Sequence, residues 1–226
     1  MGDTPAAEER EARAPTRQIV QTEALAWLAE NPAPPGASVI TSLPDASELP
    51  ELGFFGWKSW FEAAARAVLR WLPAPGLALF FQSDIRHAGT WVDKSYLVQR
   101  AAEHEGRVLL WHKIVCRRPP GTIGHGRATY SHLLCFAHEP RPSITHPGIE
   151  VLADAGHMPW SKAMGVEACR LACRFLREES DTRVVVDPFC GHGTALAVAN
   201  HFGFDTLGLE LSTRKVRAAR RLQLEL

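Results

Sequence analysis

The fold is decided by the stretch Val184-Val185-Val186-Asp187-Pro188-Phe189-Cys190-Gly191-His192-Gly193-Thr194, together with Thr206-Leu207-Gly208-Leu209-Glu210 shortly after it. Three consecutive valines favour a strand that is buried on both faces. Two glycines separated by one residue let the chain turn tightly into a helix, and a second strand then ends in an acid. This order of strand, glycine turn, helix and strand predicts one half of a doubly wound α/β sheet.

The glycine turn predicts a nucleoside-bearing cofactor. Glu210 follows the turn at a distance of about 20 residues, where an acid accepts hydrogen bonds from ribose hydroxyls. The turn has neither the Gly-Lys-Ser/Thr of a phosphate loop nor the third glycine of a dinucleotide site. An adenosine without phosphates therefore fits the turn better than ATP or NAD.

Composition limits the architecture and the partners. The 226 residues suffice for one well-buried domain, predicted over residues 17–226 after a disordered tail over residues 1–16. Because the formal net charge is zero, contact with nucleic acid requires a local basic patch. The sequence leaves the oligomeric state open.

Cysteine usage and hydropathy predict a reduced, unanchored protein. The five cysteines are an odd number in apolar surroundings, which is typical of cytoplasmic thiols. Cys169 and Cys173 lack the second ligand pair of a structural zinc site, so no metal is expected. No apolar stretch reaches membrane-spanning length, and we expect a cytoplasmic protein with no membrane partner.

Apolar periodicity alternates between strand and helix along the whole domain. Besides the two stretches quoted above, strands are predicted at residues 18–20, 37–41, 77–81, 107–115 and 129–136, which makes seven. Helices are predicted at residues 23–30, 57–71, 93–103, 161–178 and 212–224. Strands separated by helices imply a mainly parallel sheet covered on both faces, with one antiparallel strand where only a loop intervenes.

Several short motifs recur in a recognisable order. They are Thr22-Glu23-Ala24-Leu25, Ser42-Leu43-Pro44-Asp45, Trp111-His112-Lys113, Ser131-His132-Leu133-Leu134-Cys135-Phe136, Trp160-Ser161-Lys162-Ala163 and the Asp187 turn. In this order the chain resembles the S-adenosylmethionine (SAM)-dependent amino-methyltransferases of DNA and RNA over residues 18–221. The resemblance is to the permuted, beta-class-like layout, in which the catalytic segment precedes the cofactor turn. It implies a circularly permuted, seven-stranded Rossmann-like methyltransferase sheet with SAM as the cofactor.

The resemblance also implies which residues hold the cofactor. Asp187 would bind the methionine amino group, Phe189 would lie against the adenine, and Glu23 would accept from the adenine amine. The predicted cofactor residues are Glu23, Lys162, Asp187, Pro188, Phe189, Gly191, Gly193, Thr194 and Glu210.

The catalytic segment is predicted at the tetrapeptide Ser42, Leu43, Pro44 and Asp45. An exocyclic amine on a base is a poor nucleophile because its lone pair is delocalised into the ring. Acceptors such as the Ser42 hydroxyl, a backbone carbonyl near Leu43 and the Asp45 carboxylate can draw its N–H bonds out of the ring plane. Asp45 is predicted to act as a general base or as an acceptor for the amine.

The tetrapeptide departs from the family pattern because it lacks the aromatic residue that stacks on the target base. Phe54, Phe55 or Trp57 is predicted to supply that ring; the alternative is that these side chains pack the loop onto the sheet.

The predicted substrate is a nucleobase amine in RNA, either rRNA or tRNA. Only residues 137–158 separate the last middle strand from the next helix, which is too short for a segment that reads a DNA sequence. Arg117, Arg118 and Arg127 in a Pro/Gly-rich loop are the predicted contact surface. The alternatives are DNA N4-cytosine or N6-adenine methylation, small-molecule methyl transfer and a catalytically silent SAM-binding protein.

Overall fold

The computed structural model describes residues 13–144 and 148–225, which contain ten strands and six α-helices. The strands are β1 (Arg17–Gln21), β2 (Ala37–Thr41), β3 (Ala78–Gln82), β4 (Ile85–His87), β5 (Thr90–Val92), β6 (Val108–Cys116), β7 (Tyr130–Ala137), β8 (Val151–Leu152), β9 (Val184–Asp187) and β10 (Asp205–Glu210). The helices are α1 (Ala24–Glu30), α2 (Gly53–Trp71), α3 (Lys94–His104), α4 (Val166–Glu179), α5 (Thr194–His201) and α6 (Thr213–Arg221). Two 3-10 turns, Ala46–Glu48 and Pro50–Leu52, connect β2 to α2.

Eight strands form one sheet in the order β1-β10-β9-β2-β3-β7-β6-β8. Every neighbouring pair is parallel except the two that include β7, which runs antiparallel to β3 and to β6. The predicted mainly parallel sheet with one antiparallel strand is therefore confirmed. The predicted number of seven strands is wrong, because the two-residue strand β8 adds an edge that is too short to show a sequence period.

Helices cover both faces of the sheet. Side chains of α2 and α3 pack one face, which we call the α2 face, and Phe61 and Val68 are fully buried there. Side chains of α4 and α5 pack the opposite face, for example Cys169 and Val198. The two layers match the doubly wound architecture that the strand and helix periods predict.

The parallel strands β10, β9, β2 and β3 end along one side of the sheet, which we call the carboxyl edge. β9 and β2 are direct neighbours there, with Val186 opposite Val39. Because β7 runs the other way, its first residues also lie at this edge, and His132 is opposite Gln82. Ligands of open α/β sheets bind outside such an edge, so the carboxyl edge is where a functional site is expected.

The helix predicted from Ser161 begins instead at Val166. Gly165 precedes it with φ of 89°, in the left-handed region, and a Cβ at this position would lie 2.4 Å from the Ala155 carbonyl oxygen. Gly165 therefore separates α4 from the loop before it. Lys162 lies in that loop and not in a helix.

Thr16, which was predicted to be the last residue of the tail, is bonded to β10. The Thr16 amide donates to Asp205 Oδ1 at 2.7 Å, and the Thr16 carbonyl accepts from the Thr206 amide at 2.8 Å. These bonds tie Thr16 to β10, while residues 1–12 lie outside the described residues. In residues 13–144 and 148–225, none of the helices has the length and apolar character needed to cross a bilayer.

Candidate functional site

Asp187 ends β9 and is 5% exposed. Its Oδ1 accepts hydrogen bonds from Thr41 Oγ1 at 2.7 Å and from the Phe189 amide at 3.1 Å. Burial, helped by the nearby Glu210, raises the pKa of Asp187 to about 7 against the opposing effect of these two hydrogen bonds. No cation among the described residues lowers its pKa, so this buried carboxylate has no counter-ion there.

The glycine turn leaves space beside Asp187. Gly191 has φ of 55°, and a Cβ built on it would meet no atom within 4 Å. Gly193 also has a positive φ, of 81°. Unlike at Gly191, a Cβ at this position would be crowded, because it would lie 3.0 Å from Ala219 Cβ of α6. Thr194 starts α5, and its buried hydroxyl has no hydrogen-bond partner among the described residues. Open backbone and an unpaired hydroxyl at a helix start fit an anionic group of a ligand.

Two acids follow the neighbouring strands along the carboxyl edge. Glu210 ends β10, and its Oε1 accepts from the Ser212 amide at 2.7 Å. Glu23 follows β1, and its carboxylate accepts from the Leu25 amide at 3.1 Å and the Ala26 amide at 2.7 Å. Glu23 therefore caps α1, a role that was not predicted; a carboxylate has lone pairs left for a further donor.

Phe189 completes this side of the site. Its ring is partly buried and lies edge-on to Trp60 of α2, with the ring centroids 5.8 Å apart. Pro188, the residue before it, is buried. The first turns after β9 are thus held against α2, close to the segment that follows β2.

The core fixes the middle of the tetrapeptide. Leu43 is 2% exposed and packs in the α2 face, and the Pro44 carbonyl accepts from Trp57 Nε1 at 3.0 Å. Trp57 is fully buried. Its ring lies against Phe54 and Phe61, which favours the alternative that it packs the loop onto the sheet, and its contact with the substrate stays a prediction. Ser42, the preceding residue, is partly buried.

Asp45 is the counter-ion of a buried lysine. Its carboxylate pairs with the Lys94 ammonium at the start of α3, and the Lys94 side chain is 3% exposed. The same ammonium lies 5.7 Å from the centroid of the Phe61 ring. Asp45 therefore has a structural role as the counter-ion of Lys94, whether or not it takes part in a reaction. Its predicted role towards an amine stays a prediction.

The two remaining aromatic candidates differ in access. Phe54 stacks on His87 of β4 with centroids 3.7 Å apart and planes 3° from parallel, so one of its faces is covered. Phe55 is 82% exposed and meets Phe54 edge-on. Of the three predicted rings, Phe55 has the most accessible surface.

Arg117 is built into the fold. It donates to the Ser161 carbonyl at 2.9 Å and to Ser83 Oγ at 3.4 Å, and burial lowers its pKa. These bonds hold the loop before α4, and the predicted contact of Arg117 with the substrate stays a prediction. Arg118 and Arg127 are exposed.

Lys162 reaches the turn after the tetrapeptide. Its Nζ donates to Ser47 Oγ at 3.1 Å and lies 3.6 Å from Glu48 Oε2, while Lys215 of α6 lies 3.7 Å from Glu48 Oε1. Glu48 thus joins three separate segments around the carboxyl edge. The predicted contact of Lys162 with the cofactor stays a prediction.

No protein-family model and no curated protein matches the chain. Solved structures match it over nearly its whole length. The cytosine-N4-specific PvuII DNA methyltransferase has a TM-score of 0.67 at 16% identity, covering 95% of this chain and 91% of that one. A candidate DNA modification methylase of Thermus thermophilus, complexed with S-adenosyl-L-methionine, has a TM-score of 0.67 at 22% identity, covering 90% and 92%. The M1.HpyAVI–SAM complex has a TM-score of 0.59 at 13% identity, covering 91% and 98%.

The chain has the fold of these methyltransferases. At such identities the likeness establishes the architecture, and the roles of individual residues have to come from the site itself.

Sequence reasoning missed a polar cluster that surrounds Asp84, shortly after the end of β3. The Asp84 carboxylate accepts from His132 Nε2 at 3.0 Å, Trp91 Nε1 at 3.1 Å and the Lys94 amide at 2.9 Å. Burial raises the pKa of Asp84, but these hydrogen bonds outweigh it and the net pKa is lowered. The other His132 nitrogen lies 2.9 Å from His112 Nε2. His112 and His132 belong to two of the motifs quoted above, whereas Asp84, Trp91 and Lys94 belong to none, so the motifs did not reveal the cluster.

The cluster also brings Asp84, Asp93 and His132 within 4.8 Å of one another, which is a possible metal spacing. The Asp93 carboxylate already has partners within the chain. It caps α3 by accepting hydrogen bonds from the Tyr96 amide at 2.9 Å and from Ser95 Oγ at 2.7 Å. The arrangement is explained without an ion.

Replacing Asp45 tests the buried pair. Asp45→Ala leaves the Lys94 ammonium buried without a counter-ion, and we expect the free energy of unfolding in urea to fall by about 3 kcal/mol. The double variant Asp45→Ala/Lys94→Met removes both charges and should recover most of that loss. Equal stability of Asp45→Ala and the unchanged protein would contradict the pairing.

The raised pKa of Asp187 predicts a pH dependence of stability. The folded state binds this proton more tightly than the unfolded state, whose carboxyl titrates near pH 3.9. The resulting stabilisation is complete below that pH and is lost as the pH rises to about 7. Urea unfolding of the ligand-free protein should show this fall, and Asp187→Asn should remove it. Identical pH profiles for the two proteins would contradict the burial of an unpaired carboxylate.

Proposed function

We propose that the protein is a SAM-dependent amino-methyltransferase that acts on an exocyclic amine of a nucleobase in DNA. The observation that carries this proposal is the hydrogen bond between Thr41 and Asp187, which joins the ends of β2 and β9. The tetrapeptide and the glycine turn therefore leave the sheet side by side. A methyl donor in the turn and an amine at the tetrapeptide would share one pocket.

The residues around the turn fit SAM. The methionine ammonium would supply the cation that the buried Asp187 carboxylate lacks. The methionine carboxylate would accept from the unpaired Thr194 hydroxyl and the start of α5, over the open side of Gly191. Glu210 would accept from the ribose hydroxyls and Phe189 would contact the adenine.

The motif order supports the permuted layout. The strand before the tetrapeptide, β2, precedes β9 in the chain although the two are neighbours in the sheet. Glu23 follows β1, the third strand of the row β9-β10-β1, and could reach the adenine from there.

Bound SAM would supply a methyl group on a sulfonium, and the protein would position the acceptor. The Ser42 hydroxyl or a tetrapeptide carbonyl would accept a hydrogen bond from the amine, which localises its lone pair towards the methyl group. Trp57 Nε1 donates a hydrogen bond to the Pro44 carbonyl, and the Leu43 side chain is buried in the core. Both contacts hold the tetrapeptide in place. Asp187 would fix the donor from the other strand.

We propose DNA in place of the predicted RNA. The PvuII enzyme is a cytosine-N4-specific DNA methyltransferase, and the Thermus thermophilus protein is a candidate DNA modification methylase. The β6–β7 hairpin offers a basic surface, since no acid occurs between Glu105 and Glu139 and both Arg118 and Arg127 are exposed. Cytosine N4 and adenine N6 are the proposed acceptors.

Labelled methyl transfer tests the proposal. Methyl-labelled SAM should transfer label to genomic DNA and not to total RNA or a metabolite extract. Asp187→Ala should abolish SAM binding by calorimetry, because the ammonium loses its buried counter-ion, whereas Asp181→Ala removes an exposed carboxylate and should leave binding unchanged. Label in RNA alone would contradict the DNA proposal and support the predicted RNA substrate. SAM binding without transfer to any pool would indicate a catalytically silent protein.

A further inference from the structure

Gln82 carries a buried carboxamide without partners. The residue is fully buried, and neither its amide nitrogen nor its carbonyl oxygen has a hydrogen-bond partner among the described residues. Leaving both ends of an amide unpaired in the interior destabilises a fold, and native proteins rarely keep such a group without a ligand or another compensating role. Most other buried polar side chains of this edge, including Asp84 and Lys94, do have partners.

The backbone places Gln82 on the substrate side of the site. It ends β3 at the carboxyl edge and is directly opposite His132 of β7. Opposite residues of an antiparallel pair project to the same face, and Phe80, two residues before Gln82, packs in the α2 face. The amide is therefore on the same face as the cluster of His132, Asp84 and Lys94, whose ammonium holds Asp45 of the tetrapeptide.

The chemistry of a carboxamide selects a ligand class. It offers a donor beside an acceptor, which pairs with an amine next to a ring nitrogen, as in adenine and cytosine. Thymine could pair with the amide too, but its carbonyl would then face the backbone carbonyls of the tetrapeptide, which can only accept. An amine donates to these groups, so the combined set favours an amine-bearing base.

We propose that Gln82 is the base-recognition residue of the site, pairing through its carboxamide with the amine and the adjacent ring nitrogen of the target base. This inference rests on the proposed function and names how the site selects its substrate. It also accounts for a tetrapeptide without an aromatic ring: recognition by two hydrogen bonds takes over part of the task of stacking. The unpaired amide lowers the stability of the ligand-free protein, and base recognition would explain why the residue is tolerated there.

The variant Gln82→Met separates recognition from structure, because methionine has a similar volume and no polar amide. The melting temperature should stay unchanged or rise by about 2–4 °C, since a buried unpaired group is removed. Gln18→Met is the matched control, because Gln18 is exposed on the edge strand β1. If Gln82→Met does not fold, Gln82→Leu replaces it.

Binding is measured by fluorescence anisotropy with short single strands of deoxyadenosine, deoxycytidine or thymidine. The unchanged protein and Gln18→Met should bind one amine-bearing strand about tenfold more tightly than the thymidine strand. Gln82→Met should lose this preference and keep its affinity for SAM.

Three results would overturn the inference. They are a preference that persists in Gln82→Met, an unchanged protein that binds all three strands equally, and a Gln82→Met variant that loses thermal stability and SAM affinity together, which would assign the amide to the fold. A protein that shows the preference but transfers no methyl group would overturn the proposed function and leave base recognition standing.

Discussion

The Asp187 carboxylate, buried at the end of β9 and bound by the Thr41 hydroxyl, is the constraint on which the site depends. It can be kept inside the protein only because Thr41 and the Phe189 amide donate to it, and those donors come from the two segments that have to meet. The raised pKa shows that the hydrogen bonds do not compensate fully for burial. A positively charged ligand would complete the balance, which is why this end of the sheet is suited to SAM.

The other half of the carboxyl edge also holds a buried polar group that is not fully compensated. The Asp84 carboxylate accepts hydrogen bonds from β7, β5 and α3. Lys94 links it to the tetrapeptide, because its amide donates to Asp84 and its ammonium pairs with Asp45. Gln82 lies on the same face and is left unpaired. Side chains that break the rules of interior packing gather at functional sites, and here they lie on both sides of the tetrapeptide.

Local patterns predicted the frame of this molecule well. The three valines and the glycine turn specify β9, the turn and α5, and the strand at Ala37–Thr41 was predicted with its observed bounds, because these signals involve residues that are close in sequence. The late start of α4 depends on the approach of Gly165 to Ala155, which no helical period records.

Side-chain partners at the site could not be predicted in the same way. Asp45 and Lys94 belong to different layers and meet only in the folded chain, so the sequence shows two ordinary charged residues. Trp57 marks a helix face, but its period does not tell a core ring from a substrate platform. Gln82 lies one residue beyond the strand predicted at residues 77–81, so no sequence pattern pointed to the role proposed for it.

A crystal structure of the protein with S-adenosyl-L-homocysteine tests the central claim most directly. The account predicts the ligand's ammonium within hydrogen-bond distance of the Asp187 carboxylate, its adenosine along the ends of β9 and β10, and its sulfur turned towards Ser42. A ligand seated away from Asp187, or one whose sulfur faces away from the tetrapeptide, would contradict it.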